Sequence, residues 1–439
     1  PRPDNAIRLD GAVRSLDALE AIAAGRVAWN PRRMRGEEQE RLTRVGPGTA
    51  MGELLRRYWQ PVAAACELDD RPTKRMRLLG EDLVVFRHAG GYGVVDERCP
   101  HRGTSLAHGL CEPDGIRCCY HGWKFAPTGE CIEAPAEPPG SPILRRVRVR
   151  AYPAQALGGL VWAYLGPEPA PLLPRWDVLA WDGALRDIGQ ATLPCNWLQI
   201  MENSVDPHHT EWLHGHHLAD VQRRQGRERP QHYLKKHEKI GFDVFRFGIV
   251  KRRVLEGGTE EDDDWTIGHP LLFPNSLRVG EHGRHRMQIR VPVDDTTTWH
   301  LWVTCYRLPG AEPQETVPLY DVPWRDDAGN FLVDFVDGGD IMAWVTQGPI
   351  ADRTKETLGA SDAGIALYRR LLLEQSERVR AGEDPMGTLR DPAGNAVIEL
   401  PQERDKYGAG AAFLLRSLED GHGRYSPLKD RIRALVKGA

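Results

Sequence analysis

Apolar and polar positions along the chain fall into stretches of different texture. Residues 1–45 are rich in Arg and Ala. Ser15–Ala24 has helical spacing and is followed by N-P-R-R-M-R-G-E-E, which reads as an arm that either trails loosely or wraps a neighbouring subunit. From 46 to 166, short strand-like runs are cut by Gly, Pro and Asp: Tyr58–Leu68, Met76–Arg87, Tyr92–Asp96, Ile132–Ala134, Val147–Tyr152 and Leu160–Leu165. A small antiparallel sheet sandwich is the expected product. P-E-P-A-P-L-L-P at Pro167–Pro174 has the composition of a stiff linker. Beyond it, 167–439 mixes strand and helix periods, so the whole chain is expected to be α+β. One expected strand, F-D-V-F-R-F-G-I-V-K-R-R-V, puts Arg246 and Arg252 on one face, and Arg284, Arg286 and Arg290 share a face of a later strand.

Charge and length narrow the class. At 439 residues the chain is long enough for two cored domains. The 58 Lys and Arg stand against 62 Asp and Glu, for a net charge of −4, which argues against nucleic-acid binding by charge. No apolar run approaches the ~20 residues of a membrane span, and the patch Ala18–Ala24 is broken by Glu20. A soluble, cytoplasmic protein is expected. Two of the eight cysteines belong to the motif described next; the other six show no paired spacing and read as reduced core thiols, Cys119 among them as a buried bystander.

Cys99 and His101 stand in C-P-H-R-G; after sixteen intervening residues, Cys118 and His121 stand in C-C-Y-H-G-W. Two thiolates for one iron and two imidazoles for the other make the ligand set of a Rieske [2Fe-2S] cluster, whose histidines raise its potential above that of an all-thiolate cluster. Gly103 and Gly122 follow the histidines, where a missing Cβ lets backbone N–H groups approach the cluster sulfurs. The competing assignment is a structural zinc knuckle, which usually spaces its ligands C-x2-4-C and H-x3-5-H and brings no paired glycines. High-potential respiratory Rieske proteins carry an extra disulfide whose positions here are Thr104 and Tyr120. The chain therefore resembles the low-potential Rieske domains of aromatic-ring oxygenases and their ferredoxins, with an expected potential of roughly −150 mV.

E-N-S-V-D-P-H-H-T-E-W-L-H-G, Glu202 to Gly215, contains D-x2-H-x4-H, with Asn203 three residues before Asp206. Taken alone, a stretch that also holds His208, His216 and His217 would read equally as a solvated helix face. Downstream of a Rieske motif it resembles the mononuclear iron site of the Rieske oxygenases, where a 2-His-1-carboxylate triad holds non-haem Fe(II) and leaves one face for O2 and substrate. The resemblance makes His209 and His214 two of the ligands. Five residues apart on a regular α-helix, they would point about 140° away from each other. The helix must therefore distort or end between them, a π-bulge being one route. For the third ligand, D-F-V-D-G-G-D-I-M-A-W-V offers Asp334, Asp337 and Asp340. Asp340 precedes the helical spacing of Ile341, Trp344 and Val345 and matches the family position; Asp337 is the alternative.

Thr43–Val62 and Gln347–Leu372 further resemble the phthalate-dioxygenase-like branch of these oxygenases, which includes aromatic O-demethylases, so the likeness runs from about 43 to 375. It implies an all-β Rieske domain over 46–166 and, over 167–439, a helix-grip (START-like) antiparallel sheet domain holding a mononuclear iron. It also implies a terminal oxygenase that hydroxylates or O-demethylates an aromatic, favoured as a carboxylated one that a pocket arginine clamps. The alternatives are a cis-dihydroxylating phthalate-type dioxygenase and, from another class, a Rieske electron-transfer protein without oxygenase activity. No nicotinamide or flavin site is legible: G-A-G-A-A-F at Gly408–Phe413 ends in Phe413 and no strand leads into it. Electrons must then come from a separate NAD(P)H-dependent flavin/iron-sulfur reductase, with or without a ferredoxin. By the resemblance, Asp206 reaches the free ring nitrogen of His209 and also bonds His121 of an adjacent subunit, while Asn203 lines the site. The active unit would be a homotrimer or a stacked-trimer hexamer.

Overall fold

The computed structural model describes residues 34–281, 283–403 and 410–438. The helical piece expected at Ser15–Ala24 lies outside them. The described end of the arm packs on its own chain: α1 (Gly36–Thr43) buries Leu42, the Asn196 amide donates to the Thr43 carbonyl at 3.0 Å, and the Arg353 N–H to Gln39 at 2.7 Å.

The strand-like runs pair into three small antiparallel sheets. One is β2 (Thr73–Leu78), β3 (Glu81–His88), β4 (Gly91–Asp96) and β9 (Ala151–Tyr152); another joins β1 (Gln60–Ala64), β11 (Leu160–Ala163) and β10 (Ala154–Leu157). The third, β5 (Leu110–Glu112), β6 (Gly115–Arg117), β7 (Lys124–Phe125) and β8 (Cys131–Glu133), flanks the two Cys/His loops. Met76–Arg87, expected as one strand, is a hairpin. Leu78 opposes Glu81, and the two turn residues Leu79 and Gly80 both take positive φ, 50° and 78°, the geometry that lets a two-residue turn match the twist of its strands. The polar break Gly80–Asp82 was the signal for it.

The second domain is an eight-stranded sheet in the order β13 (His237–Phe245), β14 (Gly248–Leu255), β15 (His269–Leu272), β16 (Ser276–Glu281), β17 (Arg284–Pro292), β18 (Thr298–Tyr306), β12 (Leu185–Leu193), β19 (Leu319–Asp321). Every pair is antiparallel except β12 with β19. The run expected as one strand over 242–254 is the β13–β14 hairpin, so Arg246 falls in its turn and shares no strand face with Arg252. β17 is buried on both sides. Met287 and Ile289 join the apolar core that also holds Trp59 and Trp162, while Arg286, Gln288 and Arg290 point the other way. On that face lie α2 (Trp197–Val205) and α4 (Val336–Val345), while α5 (Ala363–Arg380) adds Leu367, Tyr368 and Leu371 to the apolar core; α3 (Leu218–Arg224) and α6 (Gly410–Asp420) complete the domain.

The linker is a fixed element rather than a free spacer. Leu172 donates to the Leu389 carbonyl at 2.8 Å, and Asp177 and Ile398 bond across at 3.0 and 2.9 Å to Ile398 and Arg175 carbonyls. The stretch 389–398, within the region that carries no readable motif, is thus the strap that seats the linker. No helix among the described residues is long and apolar enough to cross a membrane.

A buried ion pair anchors α2 to α5. Glu202 accepts from Arg353 at 2.7 and 2.9 Å and from Arg369 at 2.6 Å. Burial pushes its carboxyl up, but the two guanidinium groups outweigh that and hold it below 4.5. Replacing Glu202 by Ala leaves Arg353 buried without its acid and Arg369 with Glu356 alone, and is expected to cost about 3–5 kcal/mol, read as a fall in the denaturation midpoint. Because the folded value is depressed, the contribution is present above about 4.5 and is lost as pH falls below it.

Candidate active site

Two loops of the first domain are built alike. The Gly103 N–H bonds the Cys99 carbonyl at 2.8 Å, and the Gly122 N–H bonds the Cys118 carbonyl at 3.0 Å. Both glycines have positive φ, 76° and 74°, a conformation that a Cβ would strain. These turns bring Cys99 and Cys118 together beneath the surface, where burial pushes the Cys99 thiol up to about 11 with Cys118 beside it. The His101 and His121 rings lie 4.6 Å apart, His101 stacked on Trp123 at 4.3 Å. Tyr120 covers His121 at 3.8 Å and is exposed. Two buried sulfurs below two imidazoles at the rim suit a [2Fe-2S] cluster whose histidine edge faces outward. Cys119, expected to be buried, is exposed instead, because the turn that directs Cys118 inward directs its neighbour out. If His121 is a cluster ligand, its replacement by Cys is expected to retain a [2Fe-2S] centre while moving its potential by hundreds of millivolts, towards the ~−400 mV of all-thiolate clusters; redox titration checks it.

In the second domain α2 stops at Asp206, and the chain re-enters helix at His209–Glu211. It then widens into a π turn over Trp212–His217 before α3. In a π turn the hydrogen bonds run from i to i+5, so side chains five apart stack instead of diverging. His209 and His214 accordingly have ring centroids 5.0 Å apart. Asp340, within α4, completes the group: its Oδ1 lies 3.3 Å from His214 Nε2 and 3.8 Å from His209 Nε2. Ligand atoms about 2.1 Å from one ion and at right angles would be ~3 Å apart, close to what is seen. The Asp340 Oδ1 is buried without a hydrogen-bond donor. His209 Nδ1 is 2.7 Å from the Asp206 carbonyl oxygen and donates to it, which leaves Nε2 as an acceptor. The His209 Nε2 lone pair and the unpartnered Asp340 Oδ1, with His214 beside them, fit a cation. Burial pushes the Asp340 carboxyl up to about 7 against the pull of His209. A metal at this position would reverse that shift.

The other expected residues fall as follows. Asp337 turns away from the pair: its Oδ2 accepts from the His422 N–H at 2.7 Å, and Oδ1 lies 3.4 Å from Arg286. Asp334 pairs with Arg424 at 3.1 Å. Asn203 lines the cavity beside His209 and His214. For Asp206 the geometry differs from expectation, because it caps a helix break rather than lying within a helix. Its backbone oxygen meets His209 Nδ1, while its carboxylate accepts from the His208 and His209 N–H groups at 2.8 and 3.2 Å and stays 3.6 Å from the ring.

Above the His209–His214–Asp340 group is a cavity of about 150 Å³. Strand register explains its lining. Arg286 opposes Val279 and Gln288 opposes Leu277, so β17 and β16 present guanidinium, amide and aliphatic groups to one side. Lys251 opposes His269 and brings both to the same wall. Arg252 is held by Asp243 at 2.5 Å. Arg290 is 1% exposed; its bonds go to Gln288, its Nε has no partner, and among the described residues no carboxylate lies within ion-pair distance of it. Burial pushes it down to about 9. Sequence reading missed Arg229, Lys251, His269 and Tyr233, whose place in the lining depends on long-range pairing; alternation through V-K-R-R-V was the one available signal, for Lys251 and Arg253.

The chain is similar to known proteins along most of its length. The Rieske [2Fe-2S] domain family matches residues 58–153, and the family described as LigXa C-terminal domain like matches 326–400. The 5,5'-dehydrodivanillate O-demethylase oxygenase subunit of Sphingobium sp. (strain NBRC 103272 / SYK-6) is 44% identical, over 84% of this chain and 86% of its own. The phthalate 4,5-dioxygenase oxygenase subunit of Pseudomonas putida is 34% identical, over 80% of this chain and 88% of its own. Among solved structures, Pseudomonas putida CBB5 NdmA superposes with a TM-score of 0.59 at 21% identity, over 76% of this chain and 94% of its own, a likeness of fold.

Proposed function

The chain belongs to the Rieske non-haem iron oxygenases, as an oxygenase subunit of their phthalate-dioxygenase-like branch, and on that premise we propose that it hydroxylates or O-demethylates a carboxylated aromatic. It is the oxygenase component of a multicomponent system, supplied with electrons by a separate reductase or ferredoxin. The observation that carries the substrate reading is the convergence of His209, His214 and Asp340 below a cavity whose β17 wall holds the acid-free Arg290.

In this reading Cys99, Cys118, His101 and His121 hold the cluster, and His209, His214 and Asp340 hold the iron. When bound, the cluster supplies single electrons and the iron supplies O2 activation. The Asp206 carbonyl fixes the His209 tautomer, so its Nε2 lone pair faces Asp340. Leu277 and Val279 supply an apolar surface for a ring and exclude water from one flank. Arg290, with Gln288, offers fixed donors to a carboxylate, an interaction strengthened by burial. Asn203 gives the cavity a neutral polar group beside the histidines. His121, at the rim of the first domain, is where electrons leave for an adjacent subunit, which makes the active unit a trimer or a pair of stacked trimers. The domain limits we propose are 1–45, 46–166 and 167–439.

Product analysis by mass spectrometry over methoxylated and dicarboxylated aromatics, with reductase, NADH and O2 supplied, tests the proposal. Loss of a methyl group as formaldehyde from methoxylated acids, or ring hydroxylation of them, is the expected result. Exclusive cis-diol formation would move the protein to the dihydroxylating reading, and turnover of neutral esters in preference to acids would overturn the anionic substrate.

A further inference from the structure

The π turn that brings His209 and His214 together changes the register of its own backbone. In an α-helix the Leu218 N–H would bond the His214 carbonyl, four residues back. Here it goes to the carbonyls of Leu213 and Gly215. The His214 carbonyl instead accepts from Arg229 Nε at 2.8 Å. This side chain thus gives the carbonyl a donor in place of the Leu218 N–H.

Arg229 is itself held from three sides. Its Nη1 meets Asp420 at 3.1 Å, its guanidinium lies 3.8 Å over the Tyr233 ring, and it lines the cavity. Asp420, at the end of α6, also accepts from Gln222 of α3 at 3.0 Å. The segment carrying Arg229 and Tyr233 crosses the turn closely: a Cβ on Gly215 would stand 2.4 Å from the Tyr233 carbonyl oxygen. Glycine directly after His214 therefore permits the approach that puts Arg229 in range.

We propose that Arg229, anchored by Asp420, is a positioning residue that keeps the π turn open and so sets where His214 points, an inference that rests on His214 being a metal ligand. The guanidinium touches the backbone of His214, whose Nε2 faces Asp340. Its loss lets the turn relax towards α-helical register and swings His214 away from Asp340.

The test is Co(II) binding to protein freed of mononuclear metal, with wild type, R229M, R229K, D420N and H214A compared by equilibrium dialysis and by the visible bands of bound Co(II). R229M is expected to bind about 10–100-fold more weakly, the range seen when an orienting partner of a metal ligand is removed, with shifted bands and an unchanged cluster spectrum. D420N should show a smaller shift in the same direction, and ethylguanidinium should restore part of the R229M affinity. R229K, which keeps the charge but not the Nε geometry, should not restore the bands. Wild-type affinity and bands in R229M would overturn the proposal. If R229M does not fold, D420N decides: unchanged Co(II) bands there overturn it equally. If H214A binds Co(II) as wild type does, the metal-ligand reading falls instead, and the two failures are thereby told apart.

Discussion

Replacing His209 or His214 by alanine is expected to abolish turnover while the visible spectrum of the [2Fe-2S] cluster persists. Each histidine supplies one of three donor atoms that lie within 4.8 Å of one another, at 3.3 and 3.8 Å from Asp340 Oδ1, and among the described residues the other His/carboxylate groups are His208–Glu211–His237 and Asp264–His269–Glu403. In the first, Glu211 already accepts from the His237 N–H and ring; in the second, His269 and Glu403 lie 2.5 Å apart, a hydrogen bond rather than a pair of co-ligands. We expect a fall of ~10³-fold or more, equivalent to about 4 kcal/mol in the barrier. The two Cys/His loops belong to the other domain and to a separate apolar cluster around Phe86 and Phe125, so their cluster should be unaffected. Iron and acid-labile sulfide analysis beside the turnover assay checks it. A variant that keeps both its mononuclear iron and its activity would remove that histidine from the site.

How much of this was legible in the sequence depended on the range of the interactions involved. The C-P-H-R-G and C-C-Y-H-G-W loops are local objects: each glycine is there for a positive φ four residues after its cysteine, so motif and conformation coincide. The expectation that the helix distorts between His209 and His214 was also local, since it follows from helix geometry alone, and the π turn is that distortion. The choice among Asp334, Asp337 and Asp340 was not local. Asp337 is occupied by His422, which lies 85 residues further on. The hairpin at Arg246–Phe247 was missed because apolar residues continue through its turn, whereas the one at Leu79–Gly80 had the polar break Gly80–Asp82 as its signal. The cavity wall was the least accessible part. Five arginines read as equivalent candidates; strand pairing alone puts Arg246 in a turn, ties Arg252 to Asp243, and brings Arg284, Arg286 and Arg290 to the cavity face.

Asp206→Asn is expected to give a protein that keeps much of its cluster and mononuclear iron yet turns over more slowly by orders of magnitude. The structural ground for iron retention is the division of labour at this residue. His209 Nδ1 is oriented by the Asp206 backbone oxygen at 2.7 Å, which the substitution leaves in place, whereas the carboxylate lies 3.6 Å away and accepts backbone N–H groups. An amide oxygen can still cap His208, so the helix break should survive. What disappears is the negative charge of a side chain that is 22% exposed. If that charge joins His121 of one chain to His209 of the next, its loss interrupts electron transfer without emptying either site. The decisive measurement co-assembles His121 and His209 variants, each inactive alone. Partial recovery in the mixed oligomers is expected, since one chain then contributes an intact cluster and its neighbour an intact iron site. Mixed oligomers shown by native mass spectrometry to have formed, yet without turnover, would sink the route between subunits and require electrons to pass within one chain.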